Sequence, residues 1–250
     1  MNIMNSKIKF NYSPNFDLKK RNQKQIKFLI FHYTGMKSDY EAIKRLTNPN
    51  SKVSSHYLVR RNGDMLVLVP DLYIAWHAGR SYWKNYKLLN NNSIGIEISN
   101  PGHQFNYKKF PRKQINTVIR LTKYLMEKYK IKPENILGHS DIAPIRKKDP
   151  GEKFPWKFFA TKKITIWHSV SKENLENNRL KLIENNLKKK FYNNLSKIGY
   201  TFTNNSKLKK KYFVDKLVKA FQRRYRQQLI NGKIDKECFL ISENLVKKLN

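Results

Sequence analysis

The segment at residues 138–156, GHSDIAPIRKKDPGEKFPW, contains residue types that could bind a metal ion. It carries His139 and, further along, Asp149, and prolines restrict its backbone on both sides of the aspartate. We therefore expect an ordered loop, and such loops are where binding and catalytic groups concentrate. A second histidine, His32, lies near the end of the apolar run IKFLIFHYT at residues 26–34. Two imidazoles and one carboxylate leave one tetrahedral position open for water, which is the arrangement of a catalytic zinc site.

Spacing alone leaves a second interpretation open for these histidines. A histidine at the end of a strand is more often a hydrogen-bonded core residue than a metal ligand. Asp141, in the same loop, is interpreted as an acid that organises the loop rather than as a ligand. His103 and His168 lie outside the patterned segments, and no functional role is predicted for them.

The hydrophobic pattern predicts an α/β fold that could bring these side chains together. The run at 26–34 has the length of a strand, and in SIGIEIS, at 93–99, the three isoleucines alternate with Gly95, Glu97 and Ser99. Functional groups gather at strand ends in such folds. The other predicted elements are a helix at 39–47, a hairpin at 55–70 with its turn at Asn62-Gly63, short strands at 73–79 and 134–137, and a helix at 111–130.

The character of the sequence changes after residue 160. A polar, irregular stretch is followed by a helical pattern with breaks near Gly199 and Asn231-Gly232. We predict a mixed central β-sheet flanked by helices at 1–160, a linker at 161–178 and a small C-terminal three-helix domain at 179–250.

Charge and cysteine content limit the classes of protein to consider. The chain has 52 lysines and arginines against 18 acidic residues, a net charge of +34, which favours polyanionic partners. The charge is spread along the whole chain, as biased composition produces, so no specific nucleic-acid partner is predicted. The single cysteine excludes an internal disulfide and a cysteine-based zinc site. The longest apolar stretch, FLIF, is too short to span a membrane, and no transmembrane segment is expected.

Five segments in order resemble the type 2 N-acetylmuramoyl-L-alanine amidases, the zinc amidases of peptidoglycan. They are FLIFHYTG, VSSHYLVRRNGDMLVLVP, AWHAG, NNNSIGIEISN and GHSDIAPIRKKDPGEKFPW, and together they cover roughly residues 12–160. The resemblance implies hydrolysis of the amide between the lactyl group of N-acetylmuramic acid and L-alanine. The substrate would be peptidoglycan or (anhydro)muropeptides, in cell-wall turnover or recycling. A peptidoglycan recognition module without catalysis is the alternative.

The resemblance also implies roles for individual residues. Zn²⁺ would be bound by His32, His139 and Asp149. Glu97 matches the catalytic glutamate of the family, and Lys147 matches its catalytic lysine.

Roles in substrate binding carry over less directly. Trp76 and His77, in AWHAG, would line the substrate groove or support the site, although packing in the core is an equally good interpretation of both. His56 lies in another of the matching segments, without a defined role.

The C-terminal part resembles a small three-helix peptidoglycan-binding domain. The segments AFQRRY and NGKID carry this likeness, whereas Cys238 stands where a threonine is usual. A helical cap without a ligand is the alternative. If the linker is real, deletion from about residue 175 should leave hydrolysis of small muropeptides nearly intact. We expect a monomer, and the N-terminus shows no export signal, which favours the cytoplasm with the periplasm as the alternative.

Overall fold

The computed structural model describes residues 8–201 and 210–249. Its centre is a six-stranded mixed sheet with the order β1-β5-β4-β9-β3-β10, and two small antiparallel pairs, β2–β6 and β7–β8, lie outside it. The strands are β1 (Ile8–Phe10), β2 (Phe16–Asp17), β3 (Phe28–Tyr33), β4 (Tyr57–Val59), β5 (Met65–Val67), β6 (Ile74–Ala75), β7 (Tyr82–Trp83), β8 (Tyr86–Lys87), β9 (Ser93–Ile98) and β10 (Ile136–Gly138).

Eight α-helices surround the sheet in the described part of the chain. They are α1 (Asp39–Thr47), α2 (Arg112–Tyr129), α3 (His139–Ile142), α4 (Trp156–Thr161), α5 (Lys172–Asn178), α6 (Asn185–Ile198), α7 (Lys210–Tyr225) and α8 (Lys236–Leu249). The predicted mixed α/β class is confirmed, and so are the predicted helices at 39–47 and 111–130. Ser38 caps α1 by accepting a hydrogen bond from the Glu41 backbone N–H, as expected of a serine before a helix.

Strand β3 organises the sheet because both of its neighbours run parallel to it. It pairs with β9 on one side and with β10 on the other, and His32 lies opposite Glu97 in the register. Strands β4 and β5 form the predicted antiparallel hairpin. The alternation of β9 is also confirmed, since all three of its isoleucines are buried on one face while Glu97 lies on the other.

The two faces of the sheet are covered by different parts of the chain. On the first face, Leu29 and Phe31 pack with the isoleucines of β9 against α2 and an aromatic group from residues 154–159. On the second face, Phe28 and Ile30 belong to a core that continues into α6, α7 and α8. The C-terminal helices therefore share a hydrophobic core with the sheet.

The segment at 161–178 differs from the irregular linker that the sequence predicts. Helix α5 occupies its second half, and Ser171 caps that helix through the backbone N–H of Asn174. In the first half, Ile164 is fully buried within the core of the sheet. The polar composition of the segment predicted neither feature. A few apolar contacts and one helix cap are enough to order such a segment. The domain boundaries themselves stay a prediction.

None of the helices in the described residues is long and apolar enough to cross a membrane.

Two neighbouring phenylalanines of α4 provide a test of the first face. Phe159 is fully buried and its ring lies 4.8 Å from that of Phe154, whereas Phe158 is 42% exposed. We expect Phe159→Ala to lower the free energy of unfolding by about 3–5 kcal/mol, since it leaves a cavity. The matched change Phe158→Ala should cost less than about 0.5 kcal/mol. Urea denaturation measures both, and equal effects would contradict this description of the core.

Candidate active site

Parallel strands bring the predicted site residues to one edge of the sheet. His32 lies near the carboxyl end of β3, and Glu97 lies beside it near the end of β9. His139 follows β10 directly as the first residue of α3. Because these three strands run in one direction, their carboxyl ends meet at one edge. Asp149 comes from the proline-containing loop after α3, and its side chain reaches the same edge of the sheet.

The structure brings the three predicted metal ligands into contact with one another. Nδ1 of His32 lies 2.9 Å from Nδ1 of His139, and Oδ2 of Asp149 lies 3.1 Å from each of these nitrogens. All three side chains are buried. Within the described residues, these three form the group of histidine and acidic side chains whose ligand atoms converge closely enough to hold a metal ion.

Hydrogen bonds around His139 determine which of its nitrogens carries a proton. Its Nε2 lies 3.1 Å from the carbonyl oxygen of Ala78, which can only accept a hydrogen bond. Nε2 is therefore the donor, and Nδ1 presents a lone pair toward His32 and Asp149.

A chain of hydrogen bonds assigns His32 in the same way. Ser93 Oγ donates to the carbonyl oxygen of Leu89 at 2.5 Å, so Ser93 Oγ accepts from Nε2 of His77 at 3.3 Å. Nδ1 of His77 then accepts from Nε2 of His32 at 3.1 Å. His32 consequently presents a lone pair at Nδ1, as a metal-binding histidine must. His77 therefore positions His32 through a direct contact.

The electrostatics of the cluster favour ligands without protons. Burial, followed by the neighbouring His139, lowers the pKa of His32 to about 4, although the hydrogen bond and charge of Asp149 act in the opposite direction. Burial would raise the pKa of Asp149, but the charges and hydrogen bonds of His139 and His32 outweigh it and hold that pKa well below its usual range. Two imidazole lone pairs and an ionised carboxylate therefore converge in a buried space, a donor set that fits a divalent cation.

Glu97 and Lys147 line the same cavity as the cluster, which has a volume of about 490 Å³. Glu97 is half-buried, and its Oε2 has no hydrogen-bond partner among the described residues. Burial, followed by the charge of Asp149, raises the pKa of Glu97 to about 8. A carboxyl group at this position can take up and release a proton, and a divalent cation bound beside it would lower its pKa again.

Trp76 and His77 lie next to each other but have different surroundings. Trp76 is half-buried at the cavity and its Nε1 donates to Asp17 Oδ1 at 2.8 Å. His77 is buried over Gly95, where a Cβ atom would lie 2.4 Å from Cγ of the histidine. The glycine in IGIEIS thus provides the space that the His77 ring occupies. His56 lies further inside, where its Nδ1 accepts from the Gly95 backbone N–H at 3.0 Å, and it does not line the cavity.

The cavity also contains a histidine for which the sequence predicts no functional role. His103 lines the cavity, and its ring nitrogens contact the hydroxyl of Tyr33 at 2.9 Å and Oε2 of Glu152 at 3.0 Å. Both partners are far from His103 in the sequence, so no local pattern predicted that His103 lines the cavity. His168, the other histidine without a predicted role, lies outside the cavity.

Comparisons with known proteins agree with this arrangement of the site residues. The model of the N-acetylmuramoyl-L-alanine amidase family matches residues 22–152. The chain belongs to this amidase family. It is 35% identical over 236 residues to the N-acetylmuramoyl-L-alanine amidase AmiD of Escherichia coli K12, covering 90% of this chain and 83% of that protein.

Two solved structures extend the likeness of this amidase to nearly its whole length. The first is AmiD from E. coli in complex with the substrate anhydro-N-acetylmuramic acid-L-Ala-D-gamma-Glu-L-Lys, with a TM-score of 0.79, 33% identity and 90% of each chain covered. The second is AmpDh3 from Pseudomonas aeruginosa in complex with anhydromuramic pentapeptide. Its TM-score is 0.78 at 29% identity, with 94% of this chain and 97% of that chain covered. The fold similarity therefore includes the C-terminal helices.

The chain of hydrogen bonds behind His32 can be tested through Ser93. We expect Ser93→Ala to weaken metal binding about tenfold, the low end for groups that orient a ligand, because His77 loses the acceptor that fixes its tautomer. Ser242→Ala is the matched control, since Ser242 is also buried but its hydroxyl bonds Asn194 and Phe239 in the C-terminal helices. Chelator competition measures both affinities. An unchanged affinity in Ser93→Ala would contradict the tautomer assignment.

Proposed function

We propose that this amidase uses zinc to hydrolyse the amide between the lactyl group of N-acetylmuramic acid and L-alanine in muropeptides. The observation that carries the proposal is the convergence of lone pairs from His32, His139 and Asp149 beside Glu97, whose Oε2 has no hydrogen-bond partner in the described part of the chain. A recognition module would need the groove but neither the ligand set nor this carboxyl group.

The ligand set suits zinc because it combines two imidazole nitrogens with one carboxylate oxygen and leaves the cavity side open. When bound, zinc supplies Lewis acidity, which polarises an amide carbonyl and makes water more acidic. All further groups that the reaction needs must come from the protein. The amidase places them on β9 and on the loop that precedes Asp149.

Glu97 is proposed as the group that moves the proton. In the reaction, its carboxylate accepts a proton from the attacking water and later delivers it to the departing amine of L-alanine. A raised pKa suits this shuttle, since the carboxyl group must both take up and release a proton near neutral pH. Oε2 is itself buried and has no hydrogen-bond partner among the described residues, so its lone pairs call for a polar group at the site.

Lys147 is proposed to stabilise the charge that develops on the carbonyl oxygen. It lines the cavity two residues before Asp149, and its backbone N–H donates to Ala143 at 3.0 Å, which fixes the turn that carries it. A fixed positive charge beside a developing oxyanion is worth more in a partly enclosed cavity than in water.

The cavity is also suited to a peptide that carries carboxylates. Basic side chains of Arg45, Arg146 and Lys148 line it together with Lys147. The two neighbouring structures were solved with muropeptides that contain an anhydromuramic group. We therefore propose anhydro-muropeptides as accepted substrates of this amidase, with Trp76 contributing a half-buried aromatic surface to the groove.

The role of the C-terminal helices in peptidoglycan binding is a separate proposal. The AFQRRY segment is directed inward, since Phe221, Arg224 and Tyr225 are all buried within the protein. A glycan ligand would therefore have to bind other, exposed residues of α6–α8.

Product analysis tests the proposed reaction. Incubation with an anhydro-N-acetylmuramyl peptide should release a free peptide that begins with L-alanine, as mass spectrometry detects. A chelator should abolish the release and added zinc should restore it. Intact sacculi, used in parallel, show whether polymeric peptidoglycan is cleaved as well. Cleavage at another bond, or activity that persists without metal, would contradict the proposal.

Variants of Glu97 and Lys147 separate catalysis from metal binding. We expect Glu97→Gln to lower kcat by ~10²–10⁴ and Lys147→Ala by ~10²–10³, because neither residue is a metal ligand and each acts on the transition state. Zinc content should stay stoichiometric and KM should change little. Lys157→Ala is the matched control because it removes an exposed lysine of α4 that does not line the cavity. If a variant keeps a near wild-type kcat, the role proposed for the substituted residue is wrong.

A further inference from the structure

The turn that carries His139 is closed by the carboxylate of Asp141. Oδ2 of Asp141 accepts from the backbone N–H of Gly138 at 2.8 Å, across the residue that would bind the metal. The Asp141 side chain is fully enclosed, so its remaining lone pairs must be satisfied by protein groups. The prediction that Asp141 organises the loop agrees with this contact, but its other partners were not predicted.

Both of these other partners come from the C-terminal helices. Nη1 of Arg224, in α7, donates to Oδ2 of Asp141 at 2.6 Å. The hydroxyl of Tyr200, which follows α6, donates to Oδ1 at 2.7 Å. Among the described residues, the hydrogen bonds that the Asp141 carboxylate receives from outside its own turn thus originate beyond residue 178, in the part predicted to be a separate domain.

Arg224 also connects the elements on either side of this turn. Its Nη2 donates to the carbonyl oxygen of Ile136 in β10 and to Oγ1 of Thr165, both at 2.8 Å. Its guanidinium carbon lies 4.4 Å from the ring centroid of Trp156 in α4. The planar group therefore fixes the strand before His139 and the segment after Asp149 at the same time.

A second buried arginine provides an internal comparison. Arg226 is as enclosed as Arg224, but its partners are Asp235, Glu237 and Asn231, which all belong to the C-terminal helices and their connections. Arg226 can stabilise the C-terminal part but contacts nothing at the site. The effect of Arg224 on the site can therefore be separated from the effect of removing a buried arginine.

We propose that Arg224 and Tyr200 are positioning residues that set the metal affinity of the active site through Asp141 and the turn of His139. The C-terminal helices are then required for the metal site to work, independently of any glycan binding. Under this proposal, deletion from about residue 175 would impair metal binding and hydrolysis of small muropeptides, contrary to the expectation from sequence. The proposal rests on the proposed zinc dependence of the amidase.

The test compares Tyr200→Phe and Arg224→Lys with the control Arg226→Lys in the full chain. Zinc affinity is measured by chelator competition, and thermal stability is measured on the metal-free protein. We expect zinc affinity to fall about 10–100-fold in Tyr200→Phe and Arg224→Lys, the usual range for groups that orient ligands. Arg226→Lys should lower the melting temperature but leave zinc affinity unchanged.

Tyr200→Phe keeps the test decisive if Arg224→Lys does not fold, because it removes one hydroxyl and retains the ring that packs on Trp83. The proposal is wrong if Tyr200→Phe binds zinc as tightly as the unchanged protein, or if Arg226→Lys weakens zinc binding as much as Arg224→Lys. A wild-type protein that binds no zinc would instead overturn the proposed function.

Discussion

The parallel pairing of β3 with both β9 and β10 is the constraint on which the rest of this structure depends. In this register His32 lies opposite Glu97, and Phe31 lies opposite Gly138, the residue before His139. A shift of one residue in either pairing would turn a site residue toward the core of α2, because side chains alternate between the faces of a strand. The buried isoleucines of β9 oppose such a shift, so the hydrophobic core on one face maintains the geometry of the polar site on the other.

The local parts of this arrangement could be predicted from the sequence. The alternation in SIGIEIS and the Asn62-Gly63 hairpin are properties of short segments, and the structure contains both. The convergence of His32, His139 and Asp149 was predicted from the resemblance of their motifs to those of the amidase family. The assigned roles of Glu97 and Lys147 depend on that resemblance as well and stay predictions.

The features that the sequence did not indicate all depend on contacts between distant segments. His103 reaches the cavity through Tyr33 and Glu152, and Arg224 reaches Asp141 across 83 positions of the chain. Neither contact leaves a periodic pattern or a motif. The ordered structure at 161–178 was not predicted either, because the polar composition of this segment is compatible with both a linker and a short capped helix.

Several of the few acidic residues in this chain of net charge +34 lie inside the protein. Asp141, Asp149 and Glu237 are buried beside cationic or hydrogen-bonding partners, and Asp71 accepts hydrogen bonds from two tyrosines. Buried carboxylates are tolerated only with such partners. Because these acids are directed inward, the outer surface is more positive than the composition alone suggests, which favours anionic polymers at distances up to the Debye length of ~8 Å.

The two arginines at the end of α7 also limit how this part of the chain can change in length. Arg226 follows the helix but still donates its backbone N–H to the carbonyl of Gln222, so helical geometry extends to it. Each helical residue rotates the side-chain direction by about 100°, so the two arginines point to nearly opposite sides. Insertion or deletion of one residue before them would rotate both guanidinium groups away from their partners at once. Helix α7 should therefore accept substitutions on its exposed side far more readily than any change in its number of residues.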